Sequence, residues 1–137
     1  MNDALYDQAI IAEARSKTGA GRLEAPTVTA ECDNPLCGDR ITVDLAVQDG
    51  AISDLAHKTR GCLLTQASAS LLARYAKGGD VAAAGELRAA IEAFLKGQED
   101  ERFAILTPVR NAKSRWDCVT LPFQALADAL ADLEKRG

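Results

Sequence analysis

At 137 residues and 47% hydrophobic content, the chain can build one hydrophobic core and little beside it. A formal net charge of −4 leaves no basic excess for phosphate binding, which argues against nucleic acid as a partner. No stretch is long and apolar enough for a membrane span. Asp3, Asp7 and Glu13 near the start suit neither a secretory signal nor a transit peptide, so a cytoplasmic protein with reduced thiols is expected.

Residues 1–137 are read as a single domain, of which 1–26 form an N-terminal helix and a mobile connector. The helix spans Ala4 to Ala14, with Asp3 as its cap and with Leu5, Ala9 and Ala12 on one face beside Tyr6. Ser16 to Pro26, rich in Gly, Lys and Arg, is the connector. Thr27 to Cys32 then alternates, with Val28, Ala30 and Cys32 on one side. Arg40 to Val47 sets Ile41, Val43, Leu45 and Val47 against Arg40, Thr42, Asp44 and Ala46. Asp49-Gly50 marks a tight turn, and Ala51 to Thr59 returns as a partner strand.

After Gly61 the period becomes helical: Leu64, Ala67, Ser68, Leu71 and Tyr75 recur on one face until Gly78-Gly79. A second helix surrounds Glu86 to Leu95. Pro108 rules out a long helix across Gln98 to Ser114. Pro122 to Lys135 is a last amphipathic helix, with Pro122 in its first turn and Phe123, Leu126, Leu130 and Leu133 on one face. Strands first and helices afterwards predict an α+β fold: a three-stranded antiparallel sheet with helices packed on one face.

Four cysteines in a cytoplasmic chain point to metal binding or catalysis before disulfides. Cys37 falls in the loop before the second strand, Cys62 where the third strand hands over to a helix, and Cys118 just before the last helix. Thiols at the two helix starts would gain thiolate character from the macrodipole, with Arg60 and Arg115 nearby. Asp39 follows Cys37 across Gly38, which permits an unusual turn. Cys37, Asp39, Cys62 and Cys118 together would complete a zinc shell or anchor part of an iron–sulfur cluster. Spacing alone leaves a second reading open, in which the cysteines are scattered free thiols, and the absence of a Cys-x-x-Cys pair excludes a zinc ribbon.

Asn34-Pro35-x-Cys37-Gly38-Asp39, then Gly61-Cys62 with Gln66-Ala67-Ser68-Ala69-Ser70, then Arg115-x-x-Cys118, resembles the IscU/NifU-type iron–sulfur cluster assembly family. The resemblance runs from about Leu5 to Leu130 and implies the SufE/NifU-like α+β fold. Within the family the likeness is closest to the SufU branch. Housekeeping scaffolds carry His directly before the third cysteine, where this chain has Asp117. Arg115 stands where the SufU branch has its arginine, and the interval between the second and third cysteines is longer than in the scaffolds, though short of a full SufU-length insertion. The resemblance implies zinc held by Cys37, Asp39, Cys62 and Cys118, and sulfur accepted as persulfide from a SufS-like, PLP-dependent cysteine desulfurase. Downstream iron–sulfur assembly or acceptor proteins would follow, with no nucleic acid and no membrane among the partners.

In that reading the chain is a sulfur acceptor and not a stand-alone enzyme, with Cys37 as the acceptor and Arg115 stabilising thiolate or persulfide charge. Alternatives are a scaffold whose cysteines build and pass on a [2Fe–2S] cluster, and a structural zinc module that binds another protein. The family's N-terminal His and Pro-Arg-Asn pattern is missing, since residues 12–21 read AEARSKTGAG. Leu106-Thr107-Pro108-Val109-Arg110 echoes, in altered and displaced form, the chaperone-recognition motif of the scaffolds. Cys32 is assigned to packing, and His57, in phase with Leu55 and Thr59, to a hydrogen-bonded core position instead of a ligand. Arg110 and Lys113 extend the basic run before Cys118 and read either as a solvated loop or as contacts to an acidic partner.

Overall fold

The computed structural model describes residues 7–136. The three expected strands are β1 (Val28–Asn34), β2 (Asp39–Gln48) and β3 (Ala51–Arg60), paired antiparallel in the order β1-β2-β3. Asp49 and Gly50 both take positive φ, 55° and 78°, which is the two-residue hairpin turn that the Asp-Gly pair favours. Ile41, Val43 and Leu45 point inward and are fully buried, as their alternation predicts. An irregularity in the ladder between Ala46 and Val47 pairs Val47 with Ile52, so Ile52 and Leu55 both reach the core although three residues apart.

Helices cover the inner face: α5 (Trp116–Arg136) lies on β1 and β2, and α2 (Leu63–Ala76) on β3. Around them pack α1 (Gln8–Ser16), α3 (Val81–Ala84), α4 (Leu87–Leu95) and two 3-10 stretches, Glu101–Asn111 and Lys113–Arg115. Small residues let α2 sit centrally. Its Ala67, Ser68, Ala69 and Ser70 are all buried, and Ser68 Oγ donates to the Val119 carbonyl of α5 at 2.5 Å. The helices that carry Cys62 and Cys118 are thereby held together. Edge-to-face contacts of Phe103 with Phe94 (5.9 Å) and Phe123 (5.7 Å) fix the 3-10 stretch between α4 and α5, each adding about 0.5–1.5 kcal/mol beyond area burial.

Several expectations are corrected. Asp7, extended and accepting from Ile10 N at 3.0 Å, caps α1, so the helix starts four residues later than read; Asp3, Leu5 and Tyr6 lie outside the described residues. Its buried face is Ile10 and Ala14, with Ala9 and Ala12 exposed. The connector lies along the free edge of β3, where Gly21 N donates to the His57 carbonyl (2.8 Å) and His57 N to that of Gly19 (2.9 Å). Beyond it, Arg22 and Leu23 N reach the Asp44 carboxylate on the outer face of β2, which Thr29 also bonds, and Asp44 is completely buried. Tyr75 is on the exposed side of α2. The last helix starts at Trp116, so Cys118 is in its first turn and Pro122 in its interior. Lacking an N–H, Pro122 leaves the Cys118 carbonyl without its usual helical donor.

His57 occupies the satisfied core position predicted for it: Nε2 donates to the Thr18 carbonyl and Nδ1 meets Thr59 Oγ1, both at 2.8 Å. Cys32 is half-buried against the core, and burial pushes its thiol up, with Asp128 and Asp33 adding to the shift.

Candidate metal centre

The end of the sheet where β1 turns into β2 and β3 runs into α2 abuts the first turn of α5. Three chain segments distant in sequence therefore meet there. Cys37 sits in the turn 35–38, whose backbone is closed by Cys37 N and Gly38 N on the Asn34 carbonyl (3.3 and 2.8 Å). Gly38 takes φ 79°, the left-handed conformation expected of it, and delivers Asp39 into the first position of β2. Asp39 is buried. Gly61 makes room for it, since a Cβ at position 61 would lie 2.8 Å from the Asp39 Cγ.

One sulfur each from Cys37 and Cys118 and one carboxylate oxygen of Asp39 lie within 4.8 Å of one another. Cys62, the N-cap of α2, is not part of that triplet but borders Cys118 closely enough to repel its thiolate. Thr65 joins the two sides. Its Oγ1 donates to Asp39 Oδ2 at 2.5 Å, which uses its only proton, so the Cys62 thiol at 3.4 Å donates into the same oxygen. Gln66 Nε2 donates to the Gly61 carbonyl (2.9 Å) and holds the approach to Cys62. Thr65 carries no signal in the sequence beyond its place one turn into the helix that Cys62 opens.

Electrostatics distinguish the donors. The Cys118 thiol is pushed up to about 12, first by burial and then by Cys62 and Asp39, with Arg115 pulling the other way. The thiolate character expected for Cys118 at a helix start is thus overridden by desolvation and neighbouring negative charge. Arg115 stands beside the site, its Nε buried with no hydrogen-bond partner among the described residues. Asp117, in the position of the scaffolds' histidine, is exposed in the first turn of α5. Arg110 is packed over the Phe94 ring at 4.1 Å with its head group on the Phe94 and Gln98 carbonyls, so it is no solvated loop residue. Leu106 and Val109 of the chaperone-motif echo are fully buried.

The donor set suits a borderline-soft cation: a thiol such as Cys118, whose deprotonation is opposed by burial, by Cys62 and by a carboxylate, gains most from a positive charge beside it. Zinc and an iron–sulfur cluster both satisfy that chemistry.

The NifU-like N-terminal domain family matches residues 5–137, nearly the whole chain. The iron–sulfur cluster assembly scaffold protein IscU of Thermotoga maritima is 32% identical, with 96% of each chain covered. The zinc-dependent sulfurtransferase SufU of Bacillus subtilis is 28% identical over 96% of this chain and 93% of its own. The N-terminal part of a nitrogen-fixing NifU-like protein from Brucella abortus superposes with a TM-score of 0.88 at 33% identity, over 98% of each chain. This chain belongs to the IscU/NifU iron–sulfur cluster assembly scaffold family, with the α+β fold that the resemblance implied.

Proposed function

We propose that the protein accepts sulfur during iron–sulfur cluster biogenesis, taking it as persulfide from a PLP-dependent, SufS-like cysteine desulfurase. Cys37, Asp39, Cys62 and Cys118 would hold zinc, which supplies positive charge that keeps these thiols deprotonated and orders the three segments bearing them. The observation that carries the reading is the contrast in exposure: Cys37 is exposed on a turn, while Asp39 and Cys118 are buried. A donor that must also react needs access, and among the three grouped donors Cys37 has it.

In the transfer, the Cys37 thiolate attacks the terminal sulfur of the donor's persulfide. A new S–S bond forms at Cys37, the donor's S–S bond breaks, and the donor leaves as thiolate with no net redox change. The Arg115 guanidinium, which has a buried and unpartnered Nε and lies close enough to Cys118 to pull its thiol down, would stabilise the negative charge that persists on the acceptor. The cytoplasm, where thiols stay reduced, suits this chemistry, and downstream cluster assembly or acceptor proteins would take the sulfur onward.

A second reading, in which the same cysteines assemble and pass on a [2Fe–2S] cluster as cargo, draws support from the Thermotoga scaffold relative. Metal analysis and desulfurase turnover with and without the protein, set beside anaerobic reconstitution with iron and sulfide, separate the two. Tight zinc with stimulated turnover is expected. A stable, transferable cluster without stimulation overturns the sulfur-acceptor reading in favour of the scaffold. A purely structural zinc module predicts that Cys37→Ser loses function only in proportion to stability.

A further inference from the structure

We infer that the turn 35–38 and an arginine pair beside it form one docking face, whose occupant is a protein surface that sets a carboxylate next to an apolar socket. The inference rests on the sulfur-acceptor reading above and identifies how the sulfur donor is recognised.

Leu36 directly precedes Cys37 and is 89% exposed; among the described residues the only other exposed large hydrophobic is Tyr75, at 40%. It is held outward. Leu36 N donates to Asn34 Oδ1 (3.0 Å), and the two following N–H groups are bound to the Asn34 carbonyl, so the turn closes on itself with the side chain pointing away. Presenting an aliphatic side chain to water is unfavourable and does nothing for this fold. Burial in a partner reverses that cost at the position next to the proposed acceptor.

Arg40 and Arg60 face each other directly across β2 and β3 on the outer face of the sheet. Like charges at such a cross-strand position destabilise the sheet. Neither is well neutralised. Arg40 approaches Asp33 at 3.8 Å with both side chains more than half exposed, and no carboxylate lies within ion-pair distance of Arg60 among the described residues. With Pro35, Gly38 and Gly61 the pair lines a cavity of about 410 Å³ bordering the Cys37 turn. A carboxylate seated between two guanidinium groups turns their repulsion into two charge-assisted hydrogen bonds. Asp33 also lines the cavity, and Glu31 and Lys58 stand beside the pair on the same sheet face, a mixed surface that suits an isolated acidic group better than a run of nucleic-acid phosphates.

The test uses the full-length, zinc-loaded chain with the host's PLP-dependent cysteine desulfurase, reading both stimulation and direct binding of labelled chain. Reversing both charges (R40E with R60E) is expected to raise the half-saturating concentration about tenfold or more and to flatten its dependence on ionic strength. Leu36→Asp is expected to raise it about tenfold, with Leu36→Met close to wild type. Zinc content and the circular dichroism spectrum stay at wild-type values, which shows that the fold and site are intact. Arg88→Glu, on α4, is the charge control and changes nothing. Half-saturation and binding unmoved by both sets of variants overturn the docking face. Wild-type binding without stimulation overturns the sulfur-acceptor reading and leaves the docking face standing; no binding at all overturns both.

Discussion

Cys37 and Cys118 supply the same functional group to the same small space, yet their surroundings are opposite. Cys37 hangs on a turn closed by its own backbone hydrogen bonds and open to solvent. Cys118 lies in the first turn of a 21-residue helix, buried, with its thiol driven up to about 12 by desolvation and by Cys62 and Asp39. One environment favours access and the other favours retention. The sulfur-accepting metal site proposed above requires both, since donors that never open cannot react and donors that always open cannot hold an ion. Thr65 connects the regions by tying Asp39, on the β2 side, to the helix that Cys62 begins.

Exchanging the two thiols for hydroxyls should give the largest separation. Cys37→Ser is expected to abolish persulfide uptake from the desulfurase, by about 100-fold or more, while thermal unfolding of the metal-free protein moves by less than about 0.5 kcal/mol, as at other exposed positions. Cys118→Ser is expected to cost the metal-free protein about 1–3 kcal/mol, because a hydroxyl in that buried place needs a partner. Equal destabilisation by both would remove the distinction between acceptor and anchor.

Thr65→Val keeps the shape of the side chain and removes its hydroxyl. Zinc affinity, measured by chelator competition, should fall about 10- to 100-fold, in the range found for outer-shell partners of metal ligands. The alkylation rate of Cys37 in the metal-free protein should stay the same, because Thr65 acts on the buried side of the site. Unchanged zinc affinity would show that Asp39 is positioned without it.

Titration of the metal-free protein reports on Cys118. Its folded-state value lies above the ordinary 9.0, so the folded state keeps a proton that the unfolded state releases. Its contribution to stability is complete below pH 9 and is lost as pH rises toward 12. Chemical denaturation across that window should show stability falling with pH, and Cys118→Ala should flatten the fall. A fall of the same size in the variant would mean that other groups account for it.

The smallest effect is expected far from both thiols. Burial lowers the His57 value below 6.5, against the opposing pull of its bond to the Thr18 carbonyl. Stability from this neutral imidazole is present above pH 6.5 and lost as pH falls through the lowered value. Because His57 ties the connector to β3, amide protection near Gly19 and Gly21, taken relative to intrinsic exchange at each pH, should fall below pH 6.5 while Cys37 reactivity, after correction for its own ionisation, does not change. Protection that stays constant would show that the backbone ladder alone holds the connector.

Much of this architecture was legible in the chain. Period-2 alternation at Ile41, Val43 and Leu45, the Asp49-Gly50 turn and the switch to helical spacing at Leu64 each report a local preference reinforced by burial, and each element formed as read. Misreadings arose where distant contacts override local rules. Proline is tolerated in a first helical turn, so local rules place the helix start at Pro122. Trp116 instead opens the helix two residues before Cys118, with its indole N–H on the Val109 carbonyl. Alternation puts Asp44 on the solvent face of its strand, but Arg22, Leu23 and Thr29, which lie 15 to 22 residues away, close over it. The residues 98–115 have weak periodicity, and their 3-10 course is set by Phe103, Leu106 and Val109 finding the core.

By itself the sequence determined the strands, the turn that carries Cys37, the helix that Cys62 begins and the order of the motifs, because each depends on neighbours within a few residues. The three ordered motifs also pointed to the family. Only the tertiary structure decided which thiol is open and which is sealed. Exposure, desolvation and charge repulsion at Cys37 and Cys118 arise from segments some 80 residues apart being folded onto one end of a sheet. No local pattern encodes a distance across that gap.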